Sequence, residues 1–196
     1  MTGEGNARGL LTVVSAPSGA GKNTVIAEIL RLRPGLYFSV SATTRPPRQG
    51  ETDAVSYHFV TRGEFTALID AGELLEYAEY AGDLYGTPKR EIIDNLGCGR
   101  DCIMDIDVQG ARSIREKIPE AVTIFLTVSG IPELERRLRA RGTDSEEKLQ
   151  SRLAIARGEL REAELFDHIV INDDVSRAAR EILDIMDKAK NERNDA

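Results

Sequence analysis

The sequence is poor in the residues on which several classes of site depend. Only two cysteines, Cys98 and Cys102, occur among 196 residues. No histidine lies near them, so neither a zinc site nor a disulfide framework is supported. The two histidines, His58 and His168, are isolated from each other and are interpreted as packing or surface residues. A reducing compartment is the default for such a sequence, and we expect a cytoplasmic protein.

Long apolar runs are also lacking. The longest runs, at 10–14 and 123–128, are the size of a strand and fall far short of the roughly 20 residues that cross a bilayer. The N-terminus has no charged segment followed by a long apolar stretch, so no secretory signal is predicted. We expect no membrane partner.

Positive charge is in deficit. The chain has 26 Lys plus Arg against 33 Asp plus Glu, a formal net charge of -7. This balance argues against a nucleic-acid partner, because non-specific binding to nucleic acid depends on basic residues that neutralise phosphates. Twenty of the basic residues are arginine, the side chain best suited to bidentate capture of phosphate. Genome base composition also produces such an excess, so both interpretations stay open.

Strand-like and helix-like segments alternate through most of the chain. Apolar, β-rich runs predict strands at 10–15, 102–106, 121–128 and 169–171. Helical spacing predicts a helix that ends before Pro34, and others at 109–117, 132–141, 144–165 and 175–189. This alternation predicts an α/β fold, with a parallel sheet covered by helices on both sides. The stretch from about 35 to 90 has only short β-prone pieces and polar turns, and is interpreted as an insertion.

A glycine-rich loop lies between the first strand and the first helix. Such loops turn backbone N–H groups towards phosphate oxygens, and a lysine at the end reaches the β- and γ-phosphates. The predicted ATP-binding residues here are Ala16, Pro17, Ser18, Gly19, Ala20, Gly21, Lys22, Asn23 and Thr24. A purely structural turn is the disfavoured alternative.

Two residues of this loop depart from the strict phosphate-loop pattern. Ala16 replaces the first glycine, which is harmless wherever φ stays negative. Asn23 replaces the hydroxyl residue that normally meets Mg²⁺. Its amide oxygen is a candidate metal ligand, either directly or through a bound water. Thr24 could supply the missing hydroxyl, although it points about 100° further round the helix.

Two arginines three residues apart, Arg45 and Arg48, flank Pro46 and Pro47. A stiff backbone with two forked donors makes a plausible anion clamp. Two solvated surface arginines are an equal alternative for this segment taken alone.

Motifs along the chain together resemble guanylate kinase. They are Ser-Ala-Pro-Ser-Gly-Ala-Gly-Lys at 15–22, Ser-Ala-Thr-Thr-Arg-Pro-Pro-Arg at 41–48, Tyr-Gly-Thr at 85–87, Asp-Ile-Asp at 105–107 with Gln-Gly at 109–110, Arg-Leu-Arg-Ala-Arg-Gly at 137–142 and Asn-Asp-Asp at 172–174. The motifs occur in the family order and extend from about residue 9 to 190. Any one of them would be weak, but together they are highly specific.

The resemblance implies that the γ-phosphoryl group of ATP is transferred to GMP, and to dGMP, in purine nucleotide metabolism, with Mg²⁺ as cofactor. It implies a P-loop core at 1–35 and 90–196, a helical lid at about 131–160, and a small mixed α+β GMP-binding insertion at 36–89. Whether the protein is a monomer or a homo-oligomer stays open.

The resemblance also assigns GMP-binding roles. It implies that Arg45, Arg48, Tyr57 and Tyr85 hold the GMP phosphate, that Ser41, Glu76 and Thr87 read the base, and that Asp107 lies beside the pocket. The chemistry agrees, because a carboxylate can accept both guanine N–H groups while Thr87 donates to O6. From spacing alone Glu76 would be a surface carboxylate, and the two tyrosines would be packing residues.

The expected catalytic residues are all cations: Lys22, Arg45, Arg137, Arg141 and Arg152. Phosphoryl transfer depends mainly on alignment and on positive charge. The acceptor phosphate, with a second pKa near 6, needs no general base. The competing interpretation of the three later arginines is salt-bridge decoration of charged helices.

Two further interpretations concern asparagines. The resemblance implies that Asn172 lies near the adenine of ATP, although Asn-Asp-Asp is also an ordinary start of a helix. Asn23 motivates an alternative function, a catalytically impaired guanylate-kinase-like module that binds a partner protein. A kinase for another nucleoside monophosphate is disfavoured by Glu76 with Thr87.

Overall fold

The structure is a computed structural model and describes residues 8–48, 50–80, 82–140, 142 and 145–195. Its strands are β1 (Leu11–Ser15), β2 (Tyr37–Ser39), β3 (Ala42–Thr43), β4 (His58–Phe59), β5 (Leu74–Tyr80), β6 (Asp83–Pro88), β7 (Cys102–Asp105), β8 (Val122–Thr127) and β9 (His168–Ile171). Its helices are α1 (Lys22–Leu32), α2 (Arg62–Asp70), α3 (Lys89–Gly97), α4 (Val108–Lys117), α5 (Ile131–Ala140), α6 (Glu146–Arg161) and α7 (Val175–Asn194).

Five strands form a parallel sheet in the order β2-β7-β1-β8-β9, flanked by helices. Every residue of β1 is buried, as are all but the first of β8. Strands buried on both faces explain why these segments are continuous apolar runs. The predicted α/β fold with a parallel sheet is confirmed.

The chain divides into two compact units. Within the described residues, the first consists of 8–11, Leu36–Met104 and Gln109–Ala121. It contains a four-stranded mixed sheet in the order β4-β3-β6-β5. Ala42, Phe65 and Leu74 form one small hydrophobic cluster of this unit. Helix α2 begins with a capping box, in which Thr61 and Glu64 satisfy each other's backbone N–H groups.

The second unit consists of Thr12–Gly35, Asp105–Val108 and the chain from Val122 onwards. Helix α1 packs on α7, and α5 packs on α6. A cluster of aliphatic side chains from α5 and α6 encloses Ala20, which belongs to the glycine-rich loop. This packing buries Ala20 completely.

Helix α6 is shorter than the predicted helix at 144–165. Ser145 is its N-cap and accepts the N–H of Lys148, while the predicted start at Asp144 lies outside the described residues. The helix ends at Arg161, and the chain tightens into a 3₁₀ turn at Ala163–Leu165.

None of the helices in the described ranges is long and apolar enough to cross a membrane. Cys98 is exposed and Cys102 is buried, and both are free thiols.

Candidate active site

The glycine-rich loop joins β1 to α1, and all the predicted ATP-binding residues from Ala16 to Thr24 lie in it or in the first turn of α1. Gly19 has φ +96° and Gly21 has φ +87°, a left-handed conformation that suits glycine. Gly21 is also the N-cap of α1. The loop therefore ends at a helix N-terminus, where backbone N–H groups are available for an anion.

Lys22 is held by two partners at the end of β7. Its ammonium group forms an ion pair with Asp105 and donates to the carbonyl oxygen of Ile106 at 2.9 Å. Asp105 received no role from the sequence, although an acid at the end of a buried strand beside a phosphate loop is a usable signal.

The carbonyl oxygen of Ala20 accepts two hydrogen bonds. Asn172 donates its side-chain amide at 2.7 Å, and Arg137 donates Nη1 at 3.3 Å. Arg137 also donates Nη2 to the backbone carbonyl of Asn172 at 2.8 Å. Asn172 is only 2% exposed. Both residues therefore contact the backbone of the glycine-rich loop.

The same arginine pairs with Glu133, to which its Nε donates at 2.7 Å. Hydrogen bonds from Arg136 and Arg137 lower the pKa of Glu133 to about 2. The Arg137 guanidinium is thus fixed by Glu133 and by the backbone carbonyl oxygens of Ala20 and Asn172.

Glu159 on α6 is a carboxylate that sequence reasoning missed. It lies near the backbone N–H of Ser18 in the glycine-rich loop. Burial raises its pKa above the ordinary value, while the Ser18 N–H and the charge of Lys22 oppose the rise. The charge of Asp107 acts in the same direction as burial, so Asp107 lies in the electrostatic field of this group. Glu159 lies far along the chain from the glycine-rich loop, so no sequence motif indicated that the two are close.

The other predicted residues of this unit are distributed along helices. Asn23 and Thr24 are exposed in the first turn of α1. Arg152 is partly buried on α6. Arg141, the third expected catalytic arginine, lies outside the described residues.

In the first unit, β5 and β6 place Glu76 opposite Thr87. The Thr87 hydroxyl donates to Glu76 Oε1 at 2.6 Å, and Thr87 and Glu76 are 0% and 3% exposed respectively. A buried carboxylate requires hydrogen bonds, and this one is fixed in orientation by Thr87. Ser41 is also buried, just before β3.

Arg45 is 9% exposed and is paired with Glu51. Its Nη1 and Nη2 donate to Oε2 and Oε1 of Glu51 at 2.8 and 2.9 Å. The Cζ atom lies 5.3 Å from the centre of the Tyr57 ring, and the nearby Tyr85 side chain helps Glu51 to raise the Arg45 pKa. The structure therefore brings together three of the four residues predicted to hold a phosphate.

Arg48, the fourth, has an exposed side chain. Its backbone N–H donates to Glu51 Oε2 at 2.7 Å. Hydrogen bonds from Arg45 hold the pKa of Glu51 below its ordinary value, in spite of the opposing effect of burial. Glu51 received no role from the sequence.

Comparison with known proteins identifies the family. A guanylate kinase family profile matches residues 8–189. The chain belongs to the guanylate kinase family. Guanylate kinases of Synechococcus sp. strain JA-3-3Ab and of Thermus thermophilus are 48% and 49% identical to it over 175 and 179 residues. These alignments cover 89% and 91% of this chain, and 81% of each relative.

A solved guanylate kinase has the same fold. The crystal structure of guanylate kinase from Anaplasma phagocytophilum matches with a TM-score of 0.80 and 32% identity, over 94% of this chain and 87% of the other. The resemblance found in the sequence is thereby confirmed.

Proposed function

We propose that this member of the guanylate kinase family transfers the γ-phosphoryl group of ATP to GMP and dGMP, with Mg²⁺ as cofactor. We further propose a cytoplasmic enzyme of purine nucleotide metabolism, in which 36–89 is the GMP-binding insertion and about 131–160 the lid. The observation that carries the proposal is the buried pair of Glu76 and Thr87.

Glu76 gives the proposed selectivity for guanine. Guanine presents N1–H and an exocyclic NH₂ on one edge, and a carboxylate can accept both. Adenine presents an acceptor at N1, which would face the carboxylate lone pairs. A site built to hydrogen-bond a group can reject an analogue lacking it by about 10⁴–10⁵. The hydrogen bond from Thr87 presets the carboxylate for this role, and it uses the single hydroxyl proton that the expected bond to guanine O6 would require.

The phosphate of GMP is proposed to bind Arg45, Arg48, Tyr57 and Tyr85. Arg45 supplies a buried guanidinium, which is a strong, geometrically specific donor to phosphate oxygens. Ser41 completes the base site, and Asp107 is retained as a residue beside it.

The ATP phosphates are proposed to bind the backbone N–H groups of the glycine-rich loop and Lys22. Lys22 would exchange its contact with Asp105 for phosphate oxygens when ATP binds. Arg137, Arg141 and Arg152 are proposed to place positive charge around the transferring group, which spreads its charge over three oxygens. Asn172 is proposed to lie on the adenine side of this site.

The residues present fit a Mg²⁺ bound chiefly by nucleotide. Among the described residues, no group of three or more acidic, histidine or cysteine side chains could hold a metal ion alone. Mg²⁺ accepts few protein oxygens when phosphates and water supply the rest. Asn23 offers an exposed amide oxygen at the start of α1 and is proposed to contact the ion or one of its waters. When bound, the ion would neutralise charge on the β- and γ-phosphate oxygens.

Asn23 is also the observation that favours a second candidate function, the impaired module that binds a partner protein. Without the usual hydroxyl, metal-dependent catalysis would be weakened while GMP binding stayed intact. Retention of Lys22 and the arginines at the family positions argues for the enzyme.

A coupled assay separates the two candidates. The wild-type chain and Asn23→Ser are assayed with ATP and Mg²⁺ against GMP, dGMP, AMP, UMP and CMP, with Asn191→Ser on exposed α7 surface as control. We expect turnover with GMP and dGMP alone, and a lower half-saturating Mg²⁺ concentration in Asn23→Ser only. GMP binding without turnover in any variant would favour the binding module.

A further inference from the structure

The guanidinium of Arg45 uses one of its two hydrogen-bonding edges for an internal carboxylate. Nη1 and Nη2, the end edge, donate to the two oxygens of Glu51 at 2.8 and 2.9 Å. Nη1 donates in addition to the carbonyl oxygen of Pro46 at 2.8 Å. This is the parallel two-bond geometry that fixes both the position and the plane of an arginine.

The other edge contains a donor that is left over. Nε of Arg45 is buried and has no hydrogen-bond partner within the described part of the chain. A buried donor on a charged group is costly to leave unpaired, so such an atom calls for an explanation. Nε and Nη2 together form a second edge spaced for two oxygens of one anion. The unpaired Nε therefore points to a ligand that carries such oxygens.

The surroundings hold this side edge in place. The Arg45 Cζ atom lies 5.3 Å from the ring centre of Tyr57 and 5.8 Å from that of Phe59. The Tyr85 side chain lies close enough to the guanidinium to help Glu51 raise the Arg45 pKa. Aromatic side chains favour a cation near their rings and restrict its movement. The edge is thus presented among the two tyrosines that are proposed to contact the GMP phosphate.

Glu51 is itself fixed by the backbone. Its Oε2 accepts the N–H of Arg48 at 2.7 Å, and its own N–H donates to the Arg48 carbonyl at 3.0 Å. Gly50, with φ +87°, makes the turn that returns the chain to this position. The carboxylate is therefore a built part of the loop and compensates the charge of a cation that is nearly buried.

We propose that Glu51 is a positioning residue for the phosphate of the acceptor nucleotide: it occupies the end edge of Arg45, so that Nε and Nη2 are presented to two phosphate oxygens. This inference rests on the proposed function, because the anion in question is the monoester phosphate of GMP or dGMP. In this arrangement the carboxylate and the substrate phosphate bind one guanidinium at once, each along its own edge.

A different arrangement makes the opposite prediction. If Glu51 stood in the place of the substrate phosphate, GMP would have to displace it, and removal of its charge would tighten GMP binding. If Glu51 orients Arg45, the same change weakens GMP binding, because the guanidinium loses its fixed plane. Glu51→Gln tests this directly, since its amide oxygen can still accept the Arg48 N–H while its NH₂ cannot accept from Arg45.

The experiment measures the dissociation constants of GMP and guanosine by calorimetry for the wild type, Glu51→Gln and Glu120→Gln. Glu120 is an exposed glutamate of the same unit, paired at the surface with Arg8. We expect Glu51→Gln to weaken GMP binding by about 10-fold to 100-fold. Guanosine, which has no phosphate, should bind the wild type and Glu51→Gln equally. Glu120→Gln should change neither dissociation constant. Thermal unfolding monitors the fold of each variant.

A double variant links the effect to the guanidinium. Lysine at position 45 has no second edge to present, so Glu51→Gln should change the GMP dissociation constant little in an Arg45→Lys background. Tighter GMP binding by Glu51→Gln would overturn the proposal, as would equal weakening of GMP and guanosine. A wild-type chain that binds guanosine and GMP equally, or neither, would instead contradict the proposed function.

Discussion

The side-chain amide of Asn172 donates a hydrogen bond to the carbonyl oxygen of Ala20 at 2.7 Å. A loop that turns its N–H groups towards a phosphate directs carbonyl groups outwards, and a buried carbonyl needs a donor. Arg137 supplies a second hydrogen bond to the same oxygen. Asn172 therefore stabilises the loop backbone. This role is separate from the position near adenine that the resemblance predicts for it.

Substitution of Asn172 should weaken both the fold and the ATP site. We expect Asn172→Ala to lower the free energy of unfolding by about 1–3 kcal/mol, because it removes a buried hydrogen bond and leaves a small cavity. The KM for ATP should rise because the loop is less well ordered. Urea unfolding and steady-state kinetics measure the two effects. Asn191→Ala, at an exposed position on α7, is the control, and equal unfolding midpoints for the two variants would contradict the prediction.

Two features of the structure require glycine at position 21. Its φ is +87°, and a Cβ atom built on it would lie 2.6 Å from the Asn172 side-chain nitrogen. Gly21→Ala should therefore strain the backbone and displace the Asn172 amide. We expect the dissociation constant of ATP, measured by calorimetry, to rise by at least about 10-fold.

Gly158, in the interior of α6, provides the matched control. A Cβ atom there would meet no other atom within 4 Å, and the residue needs no left-handed conformation. Gly158→Ala should stabilise the protein by about 0.5–1 kcal/mol, because alanine is the better helix former. Changes of stability and ATP affinity in the same direction for the two variants would contradict a specific requirement for glycine at position 21.

Most of the parallel sheet and its helices could be predicted from the sequence. The runs that became β1 and β8 are continuously apolar because both faces of these strands are buried. Helix α7 could be predicted because its apolar positions repeat along one face from Val175 to Ala189, the first 15 of its 20 residues. In both cases, burial imposes a regular pattern of apolar residues on the local sequence.

The middle of the chain could not be predicted in the same way. Helices α2 and α3 and strands β5 and β6 were missed, since each is short and only partly buried. Glu76 lies in β5, where spacing alone indicated a surface carboxylate. Its burial depends on pairing with β6 across a hairpin, which local pattern does not encode. The contacts of Asp105 with Lys22 and of Glu159 with Ser18 likewise join distant parts of the sequence.

The pair of Glu76 and Thr87 leads to a test of base recognition. Glu76→Gln should lower kcat/KM for GMP by about 10-fold to 150-fold, because a charge-assisted hydrogen bond to the base is worth about 1.5–3 kcal/mol. The KM for ATP should stay the same. Steady-state kinetics with each substrate varied in turn measures both, and an equal rise in the two KM values would point to a general loss of structure.

The role of the Thr87 hydroxyl group can be tested separately from the role of the side-chain shape. Thr87→Val removes the donor to Glu76 and leaves a buried carboxylate oxygen without its 2.6 Å partner. Thr87→Ser keeps the hydroxyl and loses one methyl group. We expect a larger fall in GMP affinity for valine than for serine, measured by calorimetry, because orientation of the carboxylate depends on the hydrogen bond. The reverse order would assign Thr87 a packing role.

Glu159 predicts how stability depends on pH. Burial raises its pKa in the folded state above the ordinary value. A group with a raised folded pKa contributes stability that is fully present below its unfolded pKa and is lost as the pH rises through the folded pKa. The Glu159→Gln side chain carries no charge, so its burial has no cost of removing a charge from water, and its amide oxygen can still face the Ser18 N–H. The variant should therefore gain stability over the wild type as the pH rises from about 4, the ordinary glutamate pKa, towards neutrality. Urea unfolding across this range, with exposed Glu164→Gln as the control, measures the difference. A difference that is constant or shrinks with rising pH would mean that the folded chain does not disfavour the Glu159 charge.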